Sequence, residues 1–269
     1  MNTTSHYKDR RDGLWYKCKV CDEFVFKQTL ERHLYICPSC NFYFPVPARK
    51  RLLQILSPDA WTDIFPASVP VTALRSLDLT DLVPEAMFSK SSHCLMAAGE
   101  GDILGHRAVL AVVHPFACPQ RLHFVALLIA IRTAVQKALP LITVYSNDSL
   151  PKLRATDRPV QAELSFSEVT YLATEMGKLS EVSLPQITVL TDANVGVLST
   201  KFPLGDIVLA ERENGRISEE MGRSQSSGKP TVSRRFPDAV QGDVIIDRYI
   251  SRSDLTSTLG KMLSFFEKV

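Results

Sequence analysis

The pattern of apolar and polar positions divides the chain into stretches of different character. Before residue 45 the apolar residues come in short pieces. Glu23 to Lys27 and Leu34 to Ile36 read as strands of a small ribbon, with Phe42, Tyr43 and Phe44 as apolar cover. Pro45 and Pro47 close this stretch. Ala48 to Leu56 carries apolar residues at Leu52, Leu53 and Leu56, the spacing of a short helix, and Ser57-Pro58-Asp59 has the cap-then-proline order that opens a second one. Phe65 to Val83 offers only turn signals at Pro66 and Pro70, with Pro84 just beyond, and predicts no element.

From Gly101 onward, strands alternate with helices. Arg107 to His114 is a Val-rich run suited to a strand buried on both faces. Pro119 to Leu139 reads as a long apolar helix, Leu141 to Tyr145 as a strand, and Pro159 to Leu179 as a helix. Gln186 to Thr191, Asp206 to Ala210 and Val244 to Asp247 are further strands. Ser251 to Lys268 is a closing helix with Leu255, Leu259, Leu263 and Phe266 on one side. This alternation predicts an α/β core. Ser224 to Lys229 is the one stretch that reads as a flexible loop, and no internal repeat is present.

Composition narrows the class. With 269 residues and roughly 150 per domain, the chain holds about two domains, or a large one with an appendage. Hydrophobic residues are 45% and charged residues 22%, with mean hydropathy +0.01, which excludes disordered and fibrous classes. The longest apolar run, Phe124 to Ile131, is eight residues, against about 20 needed to span a bilayer, so no membrane helix is expected. The opening MNTTSHYKDRRDG lacks the apolar segment of a secretory signal. The expectation is a cytoplasmic protein without disulfides among its six cysteines. The net charge of +2 makes no case for a nucleic-acid or membrane partner. Twelve glycines in 269 residues, below the average usage of about 7%, is low for a chain that cradles a ligand in glycine loops.

The cysteines carry the strongest local signal. Cys18-Lys-Val-Cys21 and Cys37-Pro-Ser-Cys40 are separated by fifteen residues, the pattern of a four-thiolate zinc ribbon. Each CxxC turn brings two thiolates to one ion, and four thiolates close the coordination sphere. Zinc bound there is structural, folding about 30 residues that could not otherwise bury enough surface. His33 lies between the pairs but is not needed as a ligand.

The ribbon, Pro47-Ala-Arg-Lys-Arg-Leu52, Glu100-Gly-Asp-Ile-Leu-Gly105 ahead of a Val-rich strand, Leu190-Thr-Asp192 ahead of Gly196, Leu204-Gly-Asp206, and Gln241-Gly-Asp-Val-Ile-Ile-Asp247 before a final helix together resemble the carboxyltransferase β subunit of bacterial acetyl-CoA carboxylase. The resemblance extends over most of the chain. It implies a zinc ribbon over residues 14–46 and a crotonase-like ββα core over residues 47–269. The core would pair with an α-type subunit in a hetero-oligomer of fatty acid biosynthesis or a specialised biosynthetic pathway. It also implies chemistry: carboxybiotin releases CO2, the resulting biotin enolate takes a proton from the acyl thioester, and the thioester enolate attacks CO2. The enolate oxygen needs converging backbone N–H donors, which the family supplies with glycine pairs.

Here the sequence departs from the family. Asp148 and Ser149 stand where the first Gly-Gly aligns, after the strand Leu141 to Tyr145. The second site becomes Thr191-Asp-Ala-Asn-Val-Gly-Val-Leu198, so that Gly196 and Val197 are its candidate amide donors. Ala117-Cys-Pro-Gln-Arg-Leu122 replaces a third glycine-rich stretch and offers Cys118 and Arg121 as candidate contacts to the acyl-CoA. An anionic Asp148 about 4 Å from an enolate would oppose it by about 4 kcal/mol at an effective dielectric near 20, about three decades in rate.

Other groups carry weaker signals. His114, Cys118 and His123 could form a nucleophile pair, although packing of Cys118 at a helix start is the commoner outcome. Asp148 and Asp192 could act as acid or base, against the more frequent turn-capping role. Arg121, Arg132 and Lys137 could meet a CoA phosphate or simply be solvated. Glu211, Glu213, Glu219 and Glu220 read as an acidic surface stretch.

Three readings follow. In the first, the chain is a diverged carboxyltransferase β-type subunit acting with an α-type partner on an acyl-CoA or acyl-carrier thioester, by carboxylation or the related decarboxylation. Acyl carrier or biotin carrier proteins would be further partners, and carboxybiotin would be required only where carboxylase activity is retained. In the second it is a pseudoenzyme subunit serving assembly or regulation. In the third the ribbon binds nucleic acid through Lys17, Lys19, Lys27, Arg32, Arg49, Lys50 and Arg51, a patch diluted by Asp22, Glu23 and Glu31.

Overall fold

The computed structural model describes residues 14–57, 61–64, 96–113, 120–146, 166–191, 205–211 and 246–267. The first of these segments opens with the ribbon. Strands β1 (Trp15–Lys17) and β2 (Phe24–Phe26) pair antiparallel, and α1 (Lys27–Arg32) follows directly. Leu34 to Ile36 is not the expected strand. Leu34 and Tyr35 both adopt left-handed backbone (φ 55° and 62°), and only one bridge forms, between Ile36 and Tyr43. Two successive left-handed residues turn the chain where a strand would run straight, and Tyr35 rather than Leu34 or Ile36 is the buried residue.

Helix α2 (Ala48–Ile55) lies where expected. The helix start at Ser57-Pro58-Asp59 runs into residues 58–60, outside the described residues, and from Trp61 the chain is strand β3 (Trp61–Asp63). The core sheet then adds β4 (Met96–Ile103), β5 (His106–Val113), β6 (Leu141–Ser146), β7 (Gln186–Thr191), β8 (Ile207–Glu211) and β9 (Arg248–Ile250). Its spatial order is the chain order. β3, β4 and β5 are antiparallel neighbours, whereas β5 through β9 are all parallel.

Helices α3 (Gln120–Lys137) and α4 (Phe166–Glu181) provide crossovers between parallel strands, and α5 (Leu255–Phe266) closes the chain after a single 3-10 turn at Arg252–Asp254. The β4–β5 turn needs only Leu104 (φ 55°) and Gly105 (φ 95°) between the paired residues Ile103 and His106, the two-residue hairpin that demands positive φ at both positions. Gly205 is fixed by space: a Cβ there would lie 2.4 Å from the Gln186 carbonyl oxygen. The last strand falls later than read, at Arg248–Ile250 rather than Val244–Asp247, of which residues 244 and 245 lie outside the described set.

Side chains alternate across β5 to β8 and are buried on both faces, as a doubly covered parallel sheet requires. Val109, Ala111, Leu141, Tyr145, Leu190 and Val208 face α3 and α4. Leu110, Val112, Ile142, Val144, Val189 and Leu209 face α2 and α5. The result is an α/β core built on a seven-stranded, mostly parallel sheet, with a four-cysteine ribbon ahead of it in the chain. Among the described residues, no helix is long and apolar enough to cross a membrane.

Candidate metal centre and the ends of the parallel strands

The two CxxC segments fold alike. In the first, the Asp22 N–H donates to the Cys18 carbonyl (3.0 Å) and the Cys18 N–H to the Glu23 carbonyl (2.8 Å). In the second, the Asn41 N–H donates to Cys37 (2.9 Å) and the Cys37 N–H to Phe42 (2.8 Å). Asp22 (φ 60°) and Asn41 (φ 61°), each one residue past the second cysteine, take the left-handed backbone that short polar side chains tolerate best. These two residues complete the knuckles, and their matching place after each CxxC was a signal available in the sequence.

The folding brings all four thiols together. The Sγ atoms of Cys18 and Cys40 lie 3.6 Å apart and those of Cys21 and Cys37 3.8 Å apart, and all four lie within 4.8 Å of one another. Four sulfurs at about 2.3 Å from a tetrahedral zinc stand about 3.8 Å apart, so the residues fit the ion. His33 is exposed and outside the group. Burial raises the Cys18 thiol and pushes Cys40 up to about 12. Burial also opposes ionisation of Cys37, but the N–H groups of Cys40 and Ser39 outweigh it and lower that thiol. Metal ligation needs thiolates, so binding displaces the protons of Cys18 and Cys40 and depends on pH.

A second cluster ties the ribbon to the sheet. Glu211, the last residue of β8, has a side chain only 1% exposed. Its Oε1 accepts from Arg51 Nη1 at 2.7 Å, and its Oε2 accepts from Arg51 Nη2 (3.2 Å) and from Nε and Nη2 of Arg252 (both 3.1 Å). Arg252 Nη1 turns the other way and donates to three ribbon carbonyls, Phe44 (2.8 Å), Tyr35 (3.2 Å) and Leu34 (3.4 Å). Its backbone N–H donates to the Tyr43 hydroxyl at 3.1 Å, and its guanidinium lies 4.5 Å from the Tyr43 ring centre. Burial alone would raise the Glu211 carboxyl, but Arg51 and Arg252 hold it below the usual range.

Glu211 therefore does not belong to an acidic surface stretch. Glu213, Glu219 and Glu220 lie outside the described residues. Of the basic residues read as a patch on the ribbon side, Arg51 is not at the surface. Arg51 is buried on Glu211, and Lys17, Arg49 and Lys50 pair with Asp22, Asp63 and Glu31, while Lys19 sits over the Phe42 ring. Arg132 and Lys137 bond Glu175 and Glu100.

The catalytic candidates belong to the segments that leave the parallel strands. Asp148, Ser149, Asp192, Gly196, Val197, His114 and Cys118 lie outside the described residues, as does the loop read at Ser224 to Lys229. Arg121 and His123 lie within α3, where only the backbone is described. The topology nevertheless fixes where the chain enters each segment. β5, β6 and β7 are adjacent and parallel and end at Val113, Ser146 and Thr191, so all three segments begin at one end of the sheet. In open α/β sheets that carboxyl end is where ligands bind. A separate cleft of about 280 Å³, bounded by Ile207, Arg248, Lys261, Met262 and Phe265, opens at the other end of β8 and β9.

The acetyl-CoA carboxylase zinc finger domain matches residues 15–40, which contain all four cysteines. The acetyl-coenzyme A carboxylase carboxyl transferase subunit beta of Desulforamulus reducens is 25% identical over 280 residues, 97% of this chain and 91% of that protein. The chain is similar in sequence to carboxyltransferase β subunits. A protein of Natranaerobius thermophilus named as carboxyl transferase subunits beta/alpha is 26% identical over 94% of this chain and 42% of its own length. Among solved structures, a Pseudomonas malonate decarboxylase hetero-dimer aligns with a TM-score of 0.42 and 13% identity, covering 83% of this chain and 86% of that one. The relationship to β subunits spans ribbon and sheet alike.

Proposed function

We propose that this chain is a diverged carboxyltransferase β-type subunit that works with an α-type partner on an acyl-CoA or acyl-carrier thioester, by carboxylation or by decarboxylation of a malonyl-type thioester. The observation that carries this is the β-subunit identity along 97% of the chain. The adjacent parallel ends of β5, β6 and β7 support it, because the segments whose sequences contain Cys118, Asp148 and Gly196 all leave the sheet at one end. The relative that joins beta and alpha subunits in one protein supports the α-type partner.

In this reading the ribbon spans residues 14–46 and holds a structural zinc, and the crotonase-type domain spans residues 47–269. The N–H groups of Gly196 and Val197 donate to the thioester enolate oxygen, the step at which charge develops. Asp148 and Ser149 occupy the place of the other donor pair, and Cys118 and Arg121 contact the acyl-CoA. Carboxybiotin and a biotin carrier are required for carboxylation and dispensable for decarboxylation. The thiolates suit a reducing cytoplasm.

Co-purification with an α-type subunit, followed by assays of malonyl-thioester formation and breakdown, tests the proposal. Turnover that Gly196→Phe abolishes without loss of the complex is the expected result. A stable complex with neither thioester binding nor turnover overturns it and leaves the pseudoenzyme reading, which the Asp148-Ser149 replacement favours. Nucleic-acid binding through the ribbon is disfavoured because Lys17, Arg49, Lys50 and Arg51 already have acidic partners.

A further inference from the structure

Arg252 is the one side chain among those described that bonds both the ribbon carbonyls and the carboxylate ending β8. Two guanidiniums surround one carboxylate, and all three side chains are 1% exposed. A buried charge is expensive unless it is bonded. Part of what bonds Arg252 comes from the ribbon: the oxygens of Leu34, Tyr35 and Phe44 are the negative ends of peptide dipoles, and all three accept from Arg252 Nη1.

Those oxygens are held in place next to the metal ligands. Tyr35 precedes Cys37 by two residues, and its carbonyl also accepts from the Phe44 N–H at 2.8 Å. The Ile36–Tyr43 bridge lies between, and these contacts enclose the Cys37–Cys40 turn. Leu34 and Tyr35 reach this position only through left-handed backbone, which costs on the order of 1–2 kcal/mol per residue for non-glycine residues. Without an ion, only the ribbon's small apolar core and a few backbone hydrogen bonds oppose that cost, and relaxation would withdraw the acceptors from Arg252.

We propose that zinc in the ribbon and order at the carboxyl end of β8 are thermodynamically coupled through Arg252 and Glu211. Metal occupancy fixes the carbonyls, the carbonyls hold Arg252 Nη1, and Arg252 with Arg51 fixes Glu211. Coupling of this kind is reciprocal: what loosens Glu211 also loosens the metal. Glu211 and Arg252 are positioning residues, since neither is a zinc ligand. The inference rests on the ribbon holding zinc and is independent of the reaction catalysed.

The test uses the purified full chain. Zinc content is measured first, and a chain that takes up no zinc overturns both the metal assignment and the coupling. Amide hydrogen exchange is then followed with zinc bound and after stripping with a chelator. The expected result is exchange at Leu209, Ala210 and Ile250 about tenfold faster without zinc, with Ile142 and Val144 on β6 changed by less than about twofold. Glu211→Gln should release zinc to a chromogenic chelator about tenfold faster than the unaltered chain at one zinc per chain, and Tyr43→Phe should shift release in the same direction by less. Exchange at β8 that is indifferent to zinc, or that rises equally on β6, overturns the proposal. That comparison needs no variant to fold. Zinc release from Glu211→Gln at the unaltered rate overturns it as well.

Discussion

The ribbon and the parallel sheet are held together by different forces. Among the described residues the ribbon gathers eight buried side chains into its own core, two of them metal-binding cysteines. The sheet carries 21 on one face and 18 on the other. Apolar burial contributes roughly 25 cal/mol per Å², so the sheet has ample driving force and the ribbon very little. The ribbon makes up the deficit with an ion and with one buried charge cluster on the sheet.

Removing the metal should break this comparison most severely. Structural zinc contributes on the order of 10–16 kcal/mol to folding in zinc-finger peptides. Cys37→Ser should therefore abolish zinc binding and unfold the ribbon, lowering the fluorescence contribution of Trp15, which packs edge-on to Phe26. Circular dichroism should retain the helices of the sheet domain. Collapse of the whole spectrum would show that the sheet depends on the ribbon far more than its buried surface suggests.

The next effect falls on the junction. Glu211→Ala removes the carboxylate that two buried guanidiniums bond and should cost about 3–5 kcal/mol in urea unfolding. Leu128→Ala, at a fully buried position of α3, should cost about 2–5 kcal/mol. The two differ in what they disturb: the first should also speed zinc release, and the second should leave it unchanged. Acid sharpens the same distinction. Because the folded Glu211 carboxyl lies below its usual range, its contribution is fully present above about pH 4.5 and is lost as pH falls through the folded value. The stability difference between the unaltered chain and Glu211→Gln should narrow as pH drops through that window.

These contrasts also explain what the sequence revealed. β5, β6 and β7 were legible because strands covered on both faces read as unbroken apolar runs, and the metal ligands because spacing alone identifies them. Helix α1 was missed. Its six residues bury only Leu30 and begin without a side-chain cap, so neither periodicity nor capping marks them. β9 was placed too early because the strand itself, Arg248–Ile250, exposes its first two residues. Glu211 was misread for a deeper reason: its burial is set by Arg51 and Arg252, 160 and 41 positions away. One hint was present. Ala48, Arg51, Leu52 and Ile55 share the buried face of α2 at helical spacing, and a charge on such a face calls for a distant partner. The candidates at Asp148 and Gly196 rest on resemblance and strand order alone, because the sequence around them carries no periodic signal.

The smallest expected effect compares one kind of backbone strain in both regions. Asn41 in the ribbon and Gly105 in the sheet hairpin both have positive φ, 61° and 95°. Alanine disfavours that region by about 1 kcal/mol or somewhat more relative to glycine. Nothing lies within 4 Å of where a Cβ on Gly105 would stand, so Gly105→Ala tests the backbone term without a clash. In a core of this size the loss should lower the melting temperature by about 2–4 °C and leave zinc release unchanged. In the ribbon, folding and metal binding are one process, so Asn41→Ala should appear as zinc affinity weakened about fivefold or more, with melting of the sheet little affected. Asn41→Gly should retain the affinity, because glycine adopts the same backbone freely. An alanine at 41 that melts the sheet but spares the metal would reverse the division between the two regions.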